Sequence, residues 1–292
     1  MSFTTLIPTA VLAGHLDDPE YVVIDCRFKL DDDRWGEREY AVRHIPGAVY
    51  AHLNHDLSGP TTGTNGRHPL PDPLVLAETF GRFGIGNAPE TSVQVVAYDQ
   101  DAGMFASRFW WLARWLGHDA VAVLDGGFAR WLAENGPTQS GIETPARREF
   151  RAAPRHELVV DAGEVSRLLS RRDWRLLDAR APERYRGETE PIDKKPGHIP
   201  GAVNHFFQWN MNEEGTFRTP QDVRDRIGRS IGGTSPDRIV CYCGSGVTAC
   251  HNLLAMEHAG MHGAKLYPGS WSEWSADPAR PVELGPHDKV ER

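Results

Sequence analysis

The sequence predicts an α/β protein of two tandem domains, each a mostly parallel sheet flanked by helices. Three observations carry that reading. The chain has 292 residues, more than one core of ordinary size absorbs and enough for two. It is written twice, with landmarks recurring in the same order at an offset of roughly 150 residues. Within each copy, short β-branched runs alternate with amphipathic stretches, the pattern of strands joined by crossover helices.

Taken in order, Tyr21-Val22-Val23-Ile24-Asp25-Cys26-Arg27 is an apolar strand running into Asp-x-Arg, and Trp174-Arg175-Leu176-Leu177-Asp178-Ala179-Arg180 answers it. His44-Ile45-Pro46-Gly47-Ala48-Val49 recurs as His198-Ile199-Pro200-Gly201-Ala202-Val203. The strand Val95-Val96-Ala97-Tyr98-Asp99 answers Ile239-Val240-Cys241-Tyr242-Cys243. Leu124-Asp125-Gly126-Gly127-Phe128-Ala129-Arg130-Trp131 answers Tyr267-Pro268-Gly269-Ser270-Trp271-Ser272-Glu273-Trp274. Between the last two landmarks lies a helix. Phe105, Phe109, Leu112 and Leu116 share one helical face in the first copy, with Gly117 as the stop; Cys250, Leu253 and Leu254 do so in the second, ahead of Gly260. The stretch from about Asn135 to Pro154, rich in Gly, Pro, Thr and Arg and without apolar periodicity, reads as the interdomain linker. The predicted domains are residues 1–140 and 155–292.

Composition removes several classes of function. A hydrophobic content of 40% is enough to bury both cores, and a formal net charge of −8 argues against a nucleic-acid partner. The longest run of like charge is Asp31-Asp32-Asp33. The N-terminal stretch lacks a cationic region followed by a sustained apolar one, and no eighteen consecutive residues are apolar; a cytoplasmic location, away from membranes, is expected. Four cysteines, Cys26, Cys241, Cys243 and Cys250, are too few and too clustered for a disulfide framework in a chain of this size, which fits a reducing compartment. Cys241, Cys243, Cys250 and His251 can be read as a metal cluster but are not expected to be one, because a C-x-C pair at a strand-to-helix turn scatters its ligands.

The chemistry concentrates at Cys243-Gly244-Ser245-Gly246-Val247-Thr248, between the strand Ile239–Tyr242 and the helix that ends near Gly260. A cysteine released from a strand end into a glycine-containing turn at a helix N-terminus is surrounded by backbone N–H groups and the positive end of the helix dipole. Both favour a thiolate. A buried structural cysteine does not need the two glycines, which let consecutive N–H groups converge on one centre. Ligand sites of such sheets lie beyond the carboxyl ends of the strands, and Cys243 stands at one. In the first copy the same position is Asp99, followed by Gln100-Asp101-Ala102-Gly103, so that loop is expected to repel an anion and offers no nucleophile. Only the second domain is expected to be catalytic by this route.

These landmarks together resemble the rhodanese superfamily, in particular its two-domain sulfurtransferases, over almost the whole chain. The resemblance implies two rhodanese-like domains, the first a non-catalytic wall, with the loop from about Pro60 to Pro69 closing the cleft. The neutral loop Cys-Gly-Ser-Gly-Val-Thr is similar to that of the family's 3-mercaptopyruvate enzymes, whereas thiosulfate-preferring members carry Arg and Lys where Gly244 and Ser245 stand. Thiosulfate is a dianion that gains from loop cations; mercaptopyruvate needs one arginine and hydrogen-bond donors. On this resemblance Cys243 and Ser245 are the catalytic residues, and Arg186, Arg67, His68, Gly244, Gly246, Val247 and Thr248 bind substrate. The implied cycle passes sulfur from a small-molecule donor through a Cys243 persulfide to a thiol acceptor, such as thioredoxin or a small thiol, or to cyanide. It needs no metal or organic cofactor. Two positions depart from the family's pattern: Glu190-Pro191 is followed by Ile192-Asp193-Lys194-Lys195 without a second arginine, leaving Lys194 or Lys195 as point charges, and Asn54 stands at the aspartate position of the proposed Asp-His-Ser relay, with Asp56 two residues on. Thiosulfate:cyanide transfer and a persulfide carrier loaded by a partner remain as alternatives. A cysteine-dependent phosphatase needs an arginine separated from the loop cysteine by five intervening residues, and Ala249 occupies that place.

Overall fold

The computed structural model describes residues 2–88 and 92–286. The chain divides into two units. The first comprises Met1–Gly59, Leu70–Arg155 and Glu213–Phe217, and the second Pro60–Pro69, His156–Asn212 and Arg218–Arg292.

In the first unit, β1 (Leu6–Ile7), β2 (Tyr21–Asp25), β3 (Val49–Tyr50), β4 (Gln94–Tyr98) and β5 (Val121–Leu124) form one sheet in the order β1-β5-β4-β2-β3. All its pairings are parallel. A parallel sheet is covered on both faces, which is why Val95, Val96, Ala97, Val121, Ala122 and Val123 are all fully buried rather than alternating in and out. In the second unit β6 (Arg175–Asp178), β7 (Val203–Asn204), β8 (Ile239–Tyr242) and β9 (Lys265–Leu266) are ordered β7-β6-β8-β9, again all parallel. An isolated parallel bridge from Val159 to Leu266 repeats the pairing of β1 with β5.

The repeated motifs have repeated structural jobs. Asp25 holds Arg27 by a bidentate buried pair, closed by the Tyr98 hydroxyl donating to Asp25 at 2.6 Å. Asp178 holds Arg180 in the same way. Each arginine then donates to a backbone carbonyl, Arg43 O in one unit and Gly197 O in the other. The two motif histidines are buried, stacked on Tyr40 and Tyr185, with Nδ1 on the carbonyls of those same residues. These charges and rings tie the turn after the strand to the core, so the Asp-x-Arg and His-Ile-Pro-Gly motifs are architectural.

Two expectations about chain organisation are corrected. Residues 135–154 are not a free linker but run along the first unit: Gly136 N–H donates to Trp131 O at 2.8 Å, Gln139 pairs with His44, and Arg148 N–H donates to Gly81 O at 3.0 Å. Phe150 anchors the stretch against Phe80, a single apolar residue that a search for periodicity cannot see. The boundary of the first unit is Arg155, and the segment Pro60–Pro69, placed by chain order in the first domain, groups with the second.

Candidate active site

β8 ends at Tyr242 and delivers Cys243 to the carboxyl edge of the second sheet, ahead of the helix Thr248–His258. Cys243 is buried, at 2% exposure. Its Sγ receives the Gly246 N–H at 3.2 Å. Gly246 has φ +77°, and a Cβ there would lie 2.5 Å from the Pro268 carbonyl oxygen, so only glycine lets the loop turn its N–H groups inward at this point. The loop is fastened from the following turn: Ser270 Oγ accepts from Cys243 N–H at 3.1 Å, while Trp271 and Ser272 N–H donate to the carbonyls of Cys243 and Gly244, both at 2.9 Å. Ser270 sits at φ +52°, an uncommon conformation for a residue with a Cβ, and its hydroxyl in turn donates to Tyr267 O. Sequence reading noted this turn only as a repeat landmark; its role as the clamp of the cysteine loop comes from the fold. Burial pushes the Cys241 thiol well above its usual range, with the neighbouring thiols adding to the effect, and does the same for Cys26. Cys250 Sγ donates to Gly246 O at 3.3 Å. Those thiols are part of the packing, which leaves Cys243 as the sulfur at the loop mouth.

Ser245 and His68 are both buried, and Ser245 Oγ and His68 Nδ1 share a hydrogen bond of 2.8 Å. Asp56, considered above as a relay carboxylate, accepts from the His52 backbone N–H at 2.9 Å and pairs with Arg82.

The cations at the loop are supplied from outside it. A Cβ on Gly244 would lie 2.8 Å from Arg67 Nη2 and 3.7 Å from both terminal nitrogens of Arg184. Arg184 donates to Glu190 at 2.6 Å and to Asp193 at 3.2 Å, and Arg67 donates to the other oxygen of Asp193. Both carboxylate side chains are almost completely buried, at 3% and 4% exposure. Against the desolvation of burial, the Arg184 hydrogen bond and the backbone N–H groups of Asp193 and Ile192 hold Glu190 below the ordinary carboxylate range. Asp193 goes the other way: desolvation raises it, opposed by the charge of Arg67.

Arg186, expected to bind the substrate, is not brought to the loop. Its guanidinium lies toward Glu188, with bonds of 2.7 and 2.8 Å. The short helix Pro182–Tyr185 explains this: successive side chains turn by about 100°, so residues 184 and 186 leave it on opposite sides, with Tyr185 buried between. Arg184, which the sequence reading does not single out, is the arginine of this helix whose guanidinium lies over the loop. Lys195 Nζ is drawn to Asp277 O at 3.3 Å, and Lys194 is exposed, so neither stands in for a second arginine; Asp193 occupies the region instead.

The first unit carries the same loop with a different occupant. Asp99 is fully buried, and its carboxylate accepts the backbone N–H groups of Asp101, Gly103, Phe105 and Ala106 at 2.7–3.2 Å. It therefore does not repel anions from a mouth, as its position suggested; it fills its own cradle. Phe128 and Ala129 N–H donate to the carbonyls of Asp99 and Gln100 at 2.8 and 3.0 Å, the counterparts of the Trp271 and Ser272 bonds.

A rhodanese-like domain matches twice, over residues 9–134 and 161–277. The chain belongs to the rhodanese family. It is 45% identical to a probable 3-mercaptopyruvate sulfurtransferase of Pseudomonas aeruginosa, over 98% of this chain and all of that relative. A putative thiosulfate sulfurtransferase of Mycobacterium tuberculosis, SseB, is 37% identical over 96% of this chain and 97% of its own length. Among solved structures, SseA from Escherichia coli, a 3-mercaptopyruvate sulfotransferase of the rhodanese fold, matches with a TM-score of 0.81 and 32% identity, over 93% of this chain and 100% of that one. Among the described residues, no helix is long and apolar enough to cross a membrane, and no group of three or more His, Cys, Asp or Glu residues is arranged to hold a metal ion.

Proposed function

We propose that this rhodanese-family chain is a sulfurtransferase that takes sulfur from 3-mercaptopyruvate onto Cys243 and passes it to a thiol or to cyanide. The Cys243 sulfur attacks the donor sulfur, the donor's C–S bond breaks with its electron pair going to carbon, and pyruvate leaves as an enolate that takes up one proton. Cys243 is left as a persulfide. A thiol acceptor then attacks the outer sulfur, the S–S bond breaks, and the Cys243 thiolate is restored. Gly246 N–H and the other N–H groups of the loop stabilise the sulfur anion at each stage.

The observation that carries the choice of donor is the 2.8 Å contact between Ser245 and His68 beside the loop. An enolate leaving group must be protonated and sulfite, the leaving group from thiosulfate, need not be, so a hydroxyl–imidazole pair is useful to the first donor alone. Arg184, with Arg67, is the cation for the donor carboxylate. Four cysteines without a disulfide suit a reducing, cytoplasmic setting, where thioredoxin or a small thiol serves as acceptor.

Mass spectrometry after exposure to mercaptopyruvate tests the reading. The protein gains one sulfur atom on Cys243, Cys243→Ser gains none, and kcat/KM with mercaptopyruvate exceeds that with thiosulfate. A reversed donor ratio makes the chain a thiosulfate enzyme, and loading only by a partner desulfurase makes it a carrier. Sulfur on Cys26, Cys241 or Cys250 overturns the nucleophile.

A further inference from the structure

Two guanidinium groups reach over the Cys243 loop, and both already hold a carboxylate. Arg67 and Arg184 each donate to Asp193, one to each oxygen, and Arg184 also donates to Glu190. The two carboxylates are not equivalent. Glu190 is locked: it pairs with Arg180 and Arg184, and accepts the N–H groups of Ile192 and Asp193 at 3.1 Å. Asp193 lies on a bend whose neighbours Pro191, Ile192 and Lys194 are exposed, and its carboxylate touches only the two arginines among the described ion pairs. With Arg180 also paired to Asp178, Arg67 and Arg184 are balanced by Asp193 and Glu190, and these side chains leave the mouth of the loop without net positive charge, although arginines line it. An anion entering from solvent meets guanidinium donors already committed.

We propose that Asp193 is a specificity-determining residue that occupies the anion position between Arg67 and Arg184 in the free protein, so that a carboxylate donor binds by displacing it. The bend carrying Asp193 releases its side chain to solvent, the donor carboxylate takes over both guanidinium contacts, and Glu190 keeps Arg184 in place. Asp193 thereby sets a threshold: a ligand with one weakly held negative charge does not open the site, whereas one that also gains from the loop N–H groups does. The proposal rests on reading the Cys243 loop as the donor site.

Calorimetric titration with pyruvate, a carboxylate that transfers no sulfur, tests it on the folded protein and on two variants checked by circular dichroism. Asp193→Asn removes the charge and keeps a hydrogen-bonding side chain; pyruvate should bind at least about tenfold more tightly than to the parent, and the KM for mercaptopyruvate should fall by a similar factor with kcat changed less than about twofold. Asp193→Glu keeps the charge and should leave pyruvate binding weak. Unchanged or weaker pyruvate binding in Asp193→Asn overturns the proposal, because Asp193 would then only be holding the arginines in position. Equal gains in both variants also overturn it, because charge would not be the cause. A parent protein that takes no sulfur from mercaptopyruvate refutes the donor assignment, and the pyruvate titration still decides the role of Asp193.

Discussion

Arg184 and Arg186 stand two positions apart, and a helical turn sends them to opposite sides. Arg184 meets Glu190, Asp193 and the space above Gly244; Arg186 meets Glu188 at the surface. A contact between a guanidinium and a donor carboxylate is worth about 1.5–3 kcal/mol. Arg184→Ala should therefore raise the KM for mercaptopyruvate by about ten- to a hundredfold, and Arg186→Ala should leave it within about twofold, since an exposed ion pair contributes little. Steady-state kinetics on the two variants decides it; the opposite ranking restores Arg186 as the substrate arginine. At the same scale, the cysteine was legible because its neighbours announce it. Gly244, Gly246 and the strand before them are all local.

The two strand-to-helix loops are one element used in two ways. In the second unit the cradle receives the Cys243 sulfur, with Gly246 N–H at 3.2 Å. In the first it is filled by the Asp99 carboxylate, which satisfies four backbone N–H groups. Asp99→Ala strips those buried donors of their acceptor, at roughly 1–3 kcal/mol for each group left unsatisfied and less than additively for neighbours. The expected result is a loss of at least about 3 kcal/mol in denaturant unfolding at neutral pH, with kcat/KM per folded molecule reduced less than about tenfold. A larger fall in kcat/KM would bring the first unit's loop into the chemistry. The repeat was readable from the motif order, but the direction of the Asp99 side chain was not, because a carboxylate facing solvent and one facing its own backbone have the same sequence.

Over the whole molecule, buried ionisable groups make stability depend on pH with two opposing signs. His205 donates through Nε2 to Asn210 Oδ1 at 3.0 Å, has Nδ1 against Ser230 Oγ, and is lowered to about 4, first by desolvation. Between about 6.5 and 4 the unfolded chain binds a proton that the native protein refuses. His205 therefore gives its full support above about pH 6.5 and loses it progressively as the pH falls toward 4, on the order of 3 kcal/mol in all. Burial lowers His52, His118 and His198 in the same sense. Asp99, raised to about 6, first by desolvation, acts oppositely: the native state holds the proton that the unfolded state has released, so its contribution declines as the pH rises from about 3.8 to 6. The informative measurement is the difference between the parent and His205→Asn in unfolding free energy at pH 7, 5.5 and 4. The parent's advantage should be largest at pH 7 and shrink toward pH 4; a difference independent of pH would mean that His205 does not titrate as its burial demands.

The sequence by itself determined the α/β class, the duplication and the family, and it singled out Cys243 as the candidate nucleophile, because strand periodicity, motif order and a glycine-bearing cysteine loop are local patterns that survive without coordinates. Tertiary structure decided which side chains meet. His68 and Ser245 are 177 positions apart, and Arg67 and Asp193 are 126 apart. No spacing rule links such pairs; they are joined by the packing of segments that chain order assigns to different places, as with Pro60–Pro69 grouping with the second unit. The same reason explains the stretch 135–154, whose backbone bonds to Gly81 and Leu116 turned a presumed linker into part of the first unit. It explains Asp193 as well. An aspartate in a Pro-rich bend reads as a solvated turn residue until the fold lays two arginines against it.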